Sequence, residues 1–209
     1  MNTRTLFTIG HSSHPPEYFL ELLKHYQITC LIDVRSVAAS AYNPQFNKEP
    51  LAAFLKNNGI NYQHFPREFG ARHTDPELLD PEGKVEFEKV RNSTLFKDGI
   101  QKLIQGLEKG FTISLMCSEA EPLECHRFSM ISLALAQHGF EINHILKDKT
   151  FASNAQLEKA ILKKFYKKLP VPTVFDPDVT IQDQINAAYR LKNQEIAFSP
   201  YTHNSEENL

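Results

Sequence analysis

TCLIDVRS, Thr29 to Ser36, is the stretch on which the fold turns. Cys30, Leu31, Ile32 and Val34 make a near-continuous apolar run rather than the alternation of a half-exposed strand. A strand that is apolar on both sides is covered on both faces, as in a parallel sheet held between two layers of helices. The run is closed by charge, with Asp33 and Arg35 at its carboxyl end.

Working outward, the neighbouring segments fit the same plan. RTLFTIG (Arg4 to Gly10) reads as a buried strand ended by GHSSHPP, where Pro15 and Pro16 suit the first turn of a helix. In PEYFLELLKHYQ, residues Phe19, Leu20, Leu22, Leu23 and Tyr26 recur at helical spacing. LAAFLKNNG is a short helix closed by Gly59, and INYQHF is a third strand. Pro66 to Gly83 reads as loop, and Val85 to Gly110 as one or two helices. FTISLMC is a fourth strand, CHRFSMISLALAQHG a helix closed by Gly139, and FEINHIL a fifth strand. Alternation to about Leu146 predicts an α/β fold: three layers, α/β/α, around a mainly parallel, Rossmann-like sheet of about five strands. This domain spans residues 1–150, followed by a helical C-terminal extension packed on it (151–200) and a polar tail (201–209).

Composition narrows the function classes. The 209 residues are 41% hydrophobic and 23% charged, and the net charge of −2 exerts no general pull on nucleic acid or membrane. An anion site must therefore be a local cluster. No stretch approaches the roughly 18 apolar residues that a membrane span needs, and a strand-like run begins almost at once, so no signal peptide is expected. Three cysteines do not make a disulfide framework; the odd count fits a reducing compartment, and the cytoplasm is the expected location. A homodimer is compatible with all of this.

Parallel sheets present ligands at the carboxyl ends of their strands. The first strand ends in Gly10, His11, Ser12 and Ser13; the second in Asp33, Arg35 and Ser36; the fourth in Cys117 and Glu119, with Cys125, His126 and Arg127 opening the next helix. Each group also has a plainer reading. Asp33 and Arg35 fit a structural ion pair, Ser12 and Ser13 fit turn and cap positions, and Cys30 fits core filling. Lys163, Lys164, Lys167 and Lys168 fit a solvated helix face. Cys117 and Cys125 differ in kind. A cysteine at a helix start is held toward thiolate by unpaired backbone N–H groups, and His126 and Arg127 push the same way. The spacing is neither that of a redox turn nor that of a zinc knuckle. No cofactor is expected; a zinc or other divalent ion at Cys117, Cys125 and His126, or with His11, is the minor alternative.

The runs TIGHS, LIDVRS, S-x-x-NPQFN and MC-x-E-x-x-P-x-x-CHR, in this order, resemble the family known as domain of unknown function 488. The resemblance covers Thr5 to Ile145 and includes the Gly- and Arg-bearing FGAR segment, Phe69 to Arg72. It implies an α/β domain with a shared polar site, and no established reaction. A weaker architectural likeness is to rhodanese-like domains. There, however, the cysteine loop closes compactly on an arginine, whereas Cys117 and Arg127 stand ten positions apart.

Three functions follow as expectations. The leading one is an enzyme, a hydrolase or transferase, acting on an anionic, phosphate-bearing, nucleotide-like substrate. Cys117, Glu119, His126, His11 and Asp33 would do the chemistry, with the histidines carrying protons near neutral pH. Ser12, Arg35, Ser36, Arg72, Cys125 and Arg127 would hold the substrate, with Arg35, Arg72 and Arg127 all reaching one crevice. The alternatives are a non-catalytic ligand-binding module or thiol redox sensor, and a nucleic-acid processing enzyme using the lysine face.

Overall fold

In a computed structural model, which describes residues 4–201, the sheet has six strands. They are β1 (Arg4–Gly10), β2 (Cys30–Asp33), β3 (Asn61–His64), β4 (Ile113–Cys117), β5 (Phe140–Ile145) and β6 (Phe151–Ser153), in the spatial order β3-β2-β4-β1-β5-β6. All pairings are parallel except β5 with β6. The sixth strand, three residues long, is the addition to the expected five. It is too short to carry a periodic signal.

The chain steps from β1 through β2 to β3 toward one edge, then returns to place β4 between β2 and β1 before crossing to β5. Helices α1 (Pro16–His25) and α2 (Lys48–Asn57) accompany the outward steps and pack Phe19, Leu22, Leu23, Leu51 and Leu55 against Ile9, Leu31 and Met116. The return carries α3 (Pro66–Phe69), α4 (Phe87–Asn92) and α5 (Thr94–Glu108), which bury Phe69, Phe87, Phe96 and Leu103 against Leu6, Ile32 and Leu115. The three expected layers follow. Both faces of β2 and β4 are covered, which is why CLID and ISLMC are buried at every position. β4 thus lies between strands whose onward connections leave toward the opposite edge, and such a reversal opens a crevice at the carboxyl ends.

The helix expected at Cys125 begins differently. Arg127–Ser132 is a π-helical turn, every residue buried, that runs into α6 (Leu133–Gln137). Its wider winding frees carbonyl groups, and the Ser132 hydroxyl donates to the Arg127 carbonyl at 2.7 Å. Beyond β6, α7 (Asn154–Phe165) and α8 (Ile181–Ile196) both open with capping boxes, Ser153/Gln156 and Thr180/Asp183. Leu157, Ile161, Phe165, Ala188 and Tyr189 pack onto Phe128 and Leu133. After α8 the chain returns to the sheet domain, where the Phe198 carbonyl accepts from Val85 N–H at 2.9 Å. Of the predicted tail, the residues beyond Tyr201 lie outside the described ones. Among the described residues, no helix is long and apolar enough to cross a membrane.

Candidate functional site

The ends of β1, β2 and β4 are tied together by backbone bonds: His11 N–H to the Cys117 carbonyl, Ser12 N–H to that of Ser118, and Val34 N–H to that of Met116, each 2.9 Å. Gly10 permits this closeness. A Cβ there would lie 1.8 Å from the Glu119 carbonyl oxygen, so only glycine lets the loop after β4 fold back over β1.

Two polar groups form at this edge. The first is closed. Asp33, fully buried, accepts Arg35 Nε at 2.9 Å and Nη2 at 2.6 Å, Arg35 N–H at 3.0 Å, and the Tyr62 hydroxyl at 2.7 Å. Arg35 Nη2 also donates to the Phe46 carbonyl, and Nη1 lies 3.1 Å from His11 Nε2. Because a guanidinium only donates, His11 must accept at Nε2 and carry its proton on Nδ1, which donates to the Ser12 carbonyl at 2.8 Å. Its ring stacks on Phe46 with centroids 4.4 Å apart. Burial, with help from Arg35, holds its pKa down to about 4 despite the Ser12 bond. His11 is therefore a neutral ring at neutral pH, not the proton carrier expected there.

The second group is open. Cys117 closes β4; Cys125 and His126 stand at the entrance to the π-helical turn. His126 Nδ1 lies 3.7 Å from each of the two sulfurs, and Nε2 lies 3.1 Å from the Val34 carbonyl. A carbonyl only accepts, so Nε2 carries a hydrogen and Nδ1 faces the sulfurs. Burial, the bond to Cys125 and the nearby Glu119 push the Cys117 thiol well up. Burial acts on Cys125 too, but the bond from Cys117 and the charges of Arg127 and His126 overcome it and hold Cys125 well below the usual thiol range. The Cys125 thiolate in turn raises His126 against the opposing effect of burial. Although Glu119 is exposed at the crevice mouth, packing around its carboxyl and the Cys125 charge push it up. Two thiols and an imidazole are also the donor types of a zinc site.

These groups floor a crevice of about 440 Å³, bordered by Arg35, Ser36, Arg72, Cys117, Ser118, Glu119, Cys125 and His126. Seven of the expected site residues thus meet there: Cys117, Glu119, His126, Arg35, Ser36, Arg72 and Cys125. Asp33 and His11 lie behind Arg35 and brace it. Ser12 holds a turn at φ 48° and binds Ser118 through its backbone. Arg127 corrects the expectation of three converging arginines. It is fully buried, and Nη1 and Nη2 donate to the Glu119 and Ala120 carbonyls at 2.6 and 2.9 Å. These bonds hold it on the loop after β4, so it shapes the crevice rather than entering it. Arg72 does enter. Ser36 Oγ accepts its backbone N–H at 2.9 Å, and its guanidinium sits 5.6 Å from the Phe198 ring centroid. A Cβ on Gly70 would meet Ser36 Oγ at 2.6 Å and the Pro66 carbonyl at 2.3 Å, so this approach also depends on glycine.

The family model described as "Domain of unknown function DUF488" matches residues 15–135, more than half of the chain. The chain belongs to that family. The match includes the DVRS, FGAR and CHR segments, while GHS lies just before it. Curated proteins and solved structures provide no match.

Within this DUF488 chain, sequence reasoning missed what the C-terminal extension adds. Ile196 and Phe198 form one wall of the crevice. Lys192, only 1% exposed, reaches Glu124 Oε1 at 2.9 Å and Glu195 Oε2 at 3.2 Å, and so anchors the loop that leads to Cys125. A lysine continuing the buried stripe Ala188–Tyr189 was the available signal. The lysine face is exposed, with Lys164 paired to Glu195 at 2.6 Å.

Proposed function

We propose that the protein is an enzyme that binds a phosphate-bearing, nucleotide-like substrate in the strand-end crevice and transforms it with the Cys117–Cys125–His126–Glu119 group. The observation that carries this reading is the pairing of an uncommitted cation with reactive groups in one cavity. Among the described residues bordering the crevice, Arg35 is committed to Asp33, whereas Arg72 has no carboxylate partner. Its guanidinium presents the fork that suits a phosphate, and the Phe198 ring beside it limits its motion. A cavity of about 440 Å³ suits a mononucleotide-sized ligand. Glu119, raised and at the mouth, suits proton transfer, and the sulfurs and imidazole lie within reach of the same space.

The test is calorimetric titration with inorganic phosphate and a panel of nucleoside mono- and diphosphates, on the wild type and on Arg72→Ala. At least one ligand should bind, and the substitution should weaken it by roughly tenfold or more, the value of a charge-assisted bond. Absence of any ligand whose binding depends on Arg72 would overturn the reading. A second reading is a thiol sensor, favoured by the ligand atoms of Cys117 and Cys125 lying within 4.8 Å. It requires that mild oxidant remove two hydrogens per chain by mass, with the bond mapped to these residues.

A further inference from the structure

We propose that Cys117, Cys125 and His126 form a zinc site whose fourth position opens onto the crevice. The inference deepens the reading of the crevice as a place of chemistry and rests on it, but the binding of zinc is measurable without substrate.

Geometry carries the proposal. The three ligand atoms lie within 4.8 Å of one another, with Nδ1 3.7 Å from each sulfur. Zinc–sulfur bonds of about 2.3 Å and zinc–nitrogen bonds of about 2.0–2.1 Å, at tetrahedral angles, imply sulfur–nitrogen edges of about 3.6 Å. Both sulfur–nitrogen edges sit close to that length, and the sulfurs, within 4.8 Å of each other, would settle at the edge of about 3.8 Å that the same bond length sets. A single S–H to nitrogen bond would draw the ring toward one sulfur; equal distances to both place a common centre between them. The orientation of the ring agrees. Nε2 is held by the Val34 carbonyl at 3.1 Å, the backbone anchor that typically fixes a ligating imidazole and leaves its other nitrogen for the ion. Arg127 N–H donates to Cys125 Sγ at 3.4 Å, a further bond supporting a thiolate ligand.

The scaffold is rigid where precision is needed. Cys117 ends a central strand, with its carbonyl bonded to His11, and Cys125 and His126 are buried at a turn tied down by Arg127 and Lys192. Two sulfurs and one imidazole select zinc over magnesium or calcium, which take oxygen ligands. Three protein ligands leave one position open, the pattern of sites that do chemistry rather than staple a fold. That position faces the space where Arg72 would hold a phosphate, with Glu119 at the mouth.

The experiment is elemental analysis and native mass spectrometry of the full chain, purified under reducing conditions without chelator and then supplied with zinc. About one zinc per chain is expected. Cys117→Ser, Cys125→Ser and His126→Ala should each weaken zinc by roughly tenfold or more in chelator competition, with circular dichroism reporting the fold. Should a variant fail to fold, cobalt titration of the wild type decides instead: a sulfur-to-cobalt charge-transfer band is expected, and a site of carboxylates alone would lack it. No metal on the reduced, zinc-supplied chain, zinc undiminished in all three folded variants, or cobalt bound without the sulfur band would overturn the proposal. Arg72→Ala separates the two claims, because it should lose the phosphate ligand and retain zinc. A wild type that holds zinc but binds no phosphate ligand would refute the substrate reading alone.

Discussion

Two polar clusters stand at neighbouring strand ends, and they differ in how completely their groups are paired. Around Asp33, each carboxylate oxygen is bonded, and Arg35 uses Nε, Nη1 and Nη2 on internal partners. Around Cys117, the sulfurs, the imidazole and Glu119 border open space, and three potential ligand atoms lie within 4.8 Å of one another. Polar residues at neighbouring strand ends form in one case a closed structural joint and in the other the floor of an open crevice. Completed pairing fixes structure; open groups beside a cavity are what the proposed function rests on.

The comparison can be broken by experiment. The largest effect should come from Asp33→Ala, which strands Arg35 in the interior and should cost about 3–5 kcal/mol in urea unfolding, as for a broken buried pair. A loss below about 1 kcal/mol would show that the joint carries little. Next, per pH unit, comes acidification. Burial depresses both His11, to about 4, and His144, to about 3. The unfolded chain binds these protons first, near pH 6.5, so the stabilisation is complete above that pH and is lost as pH falls toward 4 and 3. Each ring adds a slope of up to about 1.4 kcal/mol per pH unit in that window. His144→Gln should remove its share; an unchanged slope would contradict the assignment.

Smaller still, Arg72→Ala should leave stability within about 0.5 kcal/mol, since its side chain is exposed, while weakening a phosphate ligand. A large loss of stability would place Arg72 with the structural cluster. The smallest effect belongs to the exposed pair Lys164–Glu195, where Lys164→Ala should change stability by no more than about 1 kcal/mol. The buried Lys192, anchoring Glu124, should cost more on removal. Equal costs would show that burial does not separate these lysines.

Much of this was legible in the sequence because it is periodic or local. The near-continuous apolar run of Cys30, Leu31, Ile32 and Val34 predicts a covered parallel strand, and polar residues clustered after three strands predict the edge where the crevice lies. What escaped depends on geometry that periodicity does not encode. Arg72 and Arg127 are equally good anion ligands on paper; only the tertiary structure shows that Arg127 is buried on the Glu119 and Ala120 carbonyls. Ile196 and Phe198 reach the crevice because the end of α8 and the residues after it lie against the sheet domain, a tertiary route with no local sign. Tyr62 joins Asp33 from β3, where it pairs with Leu31 and its hydroxyl reaches along the sheet to the Asp33 carboxylate, which requires knowing the strand order.

The central claim is that the crevice beside Cys117, not the joint around Asp33, is where a ligand binds. Amide chemical-shift mapping with a nucleoside monophosphate tests it most directly. Shifts should concentrate at Ser36, Arg72 and Ser118 to His126, and disappear in Arg72→Ala. Shifts confined to the lysine face of α7, or to the surroundings of Asp33 and Tyr62, would contradict it.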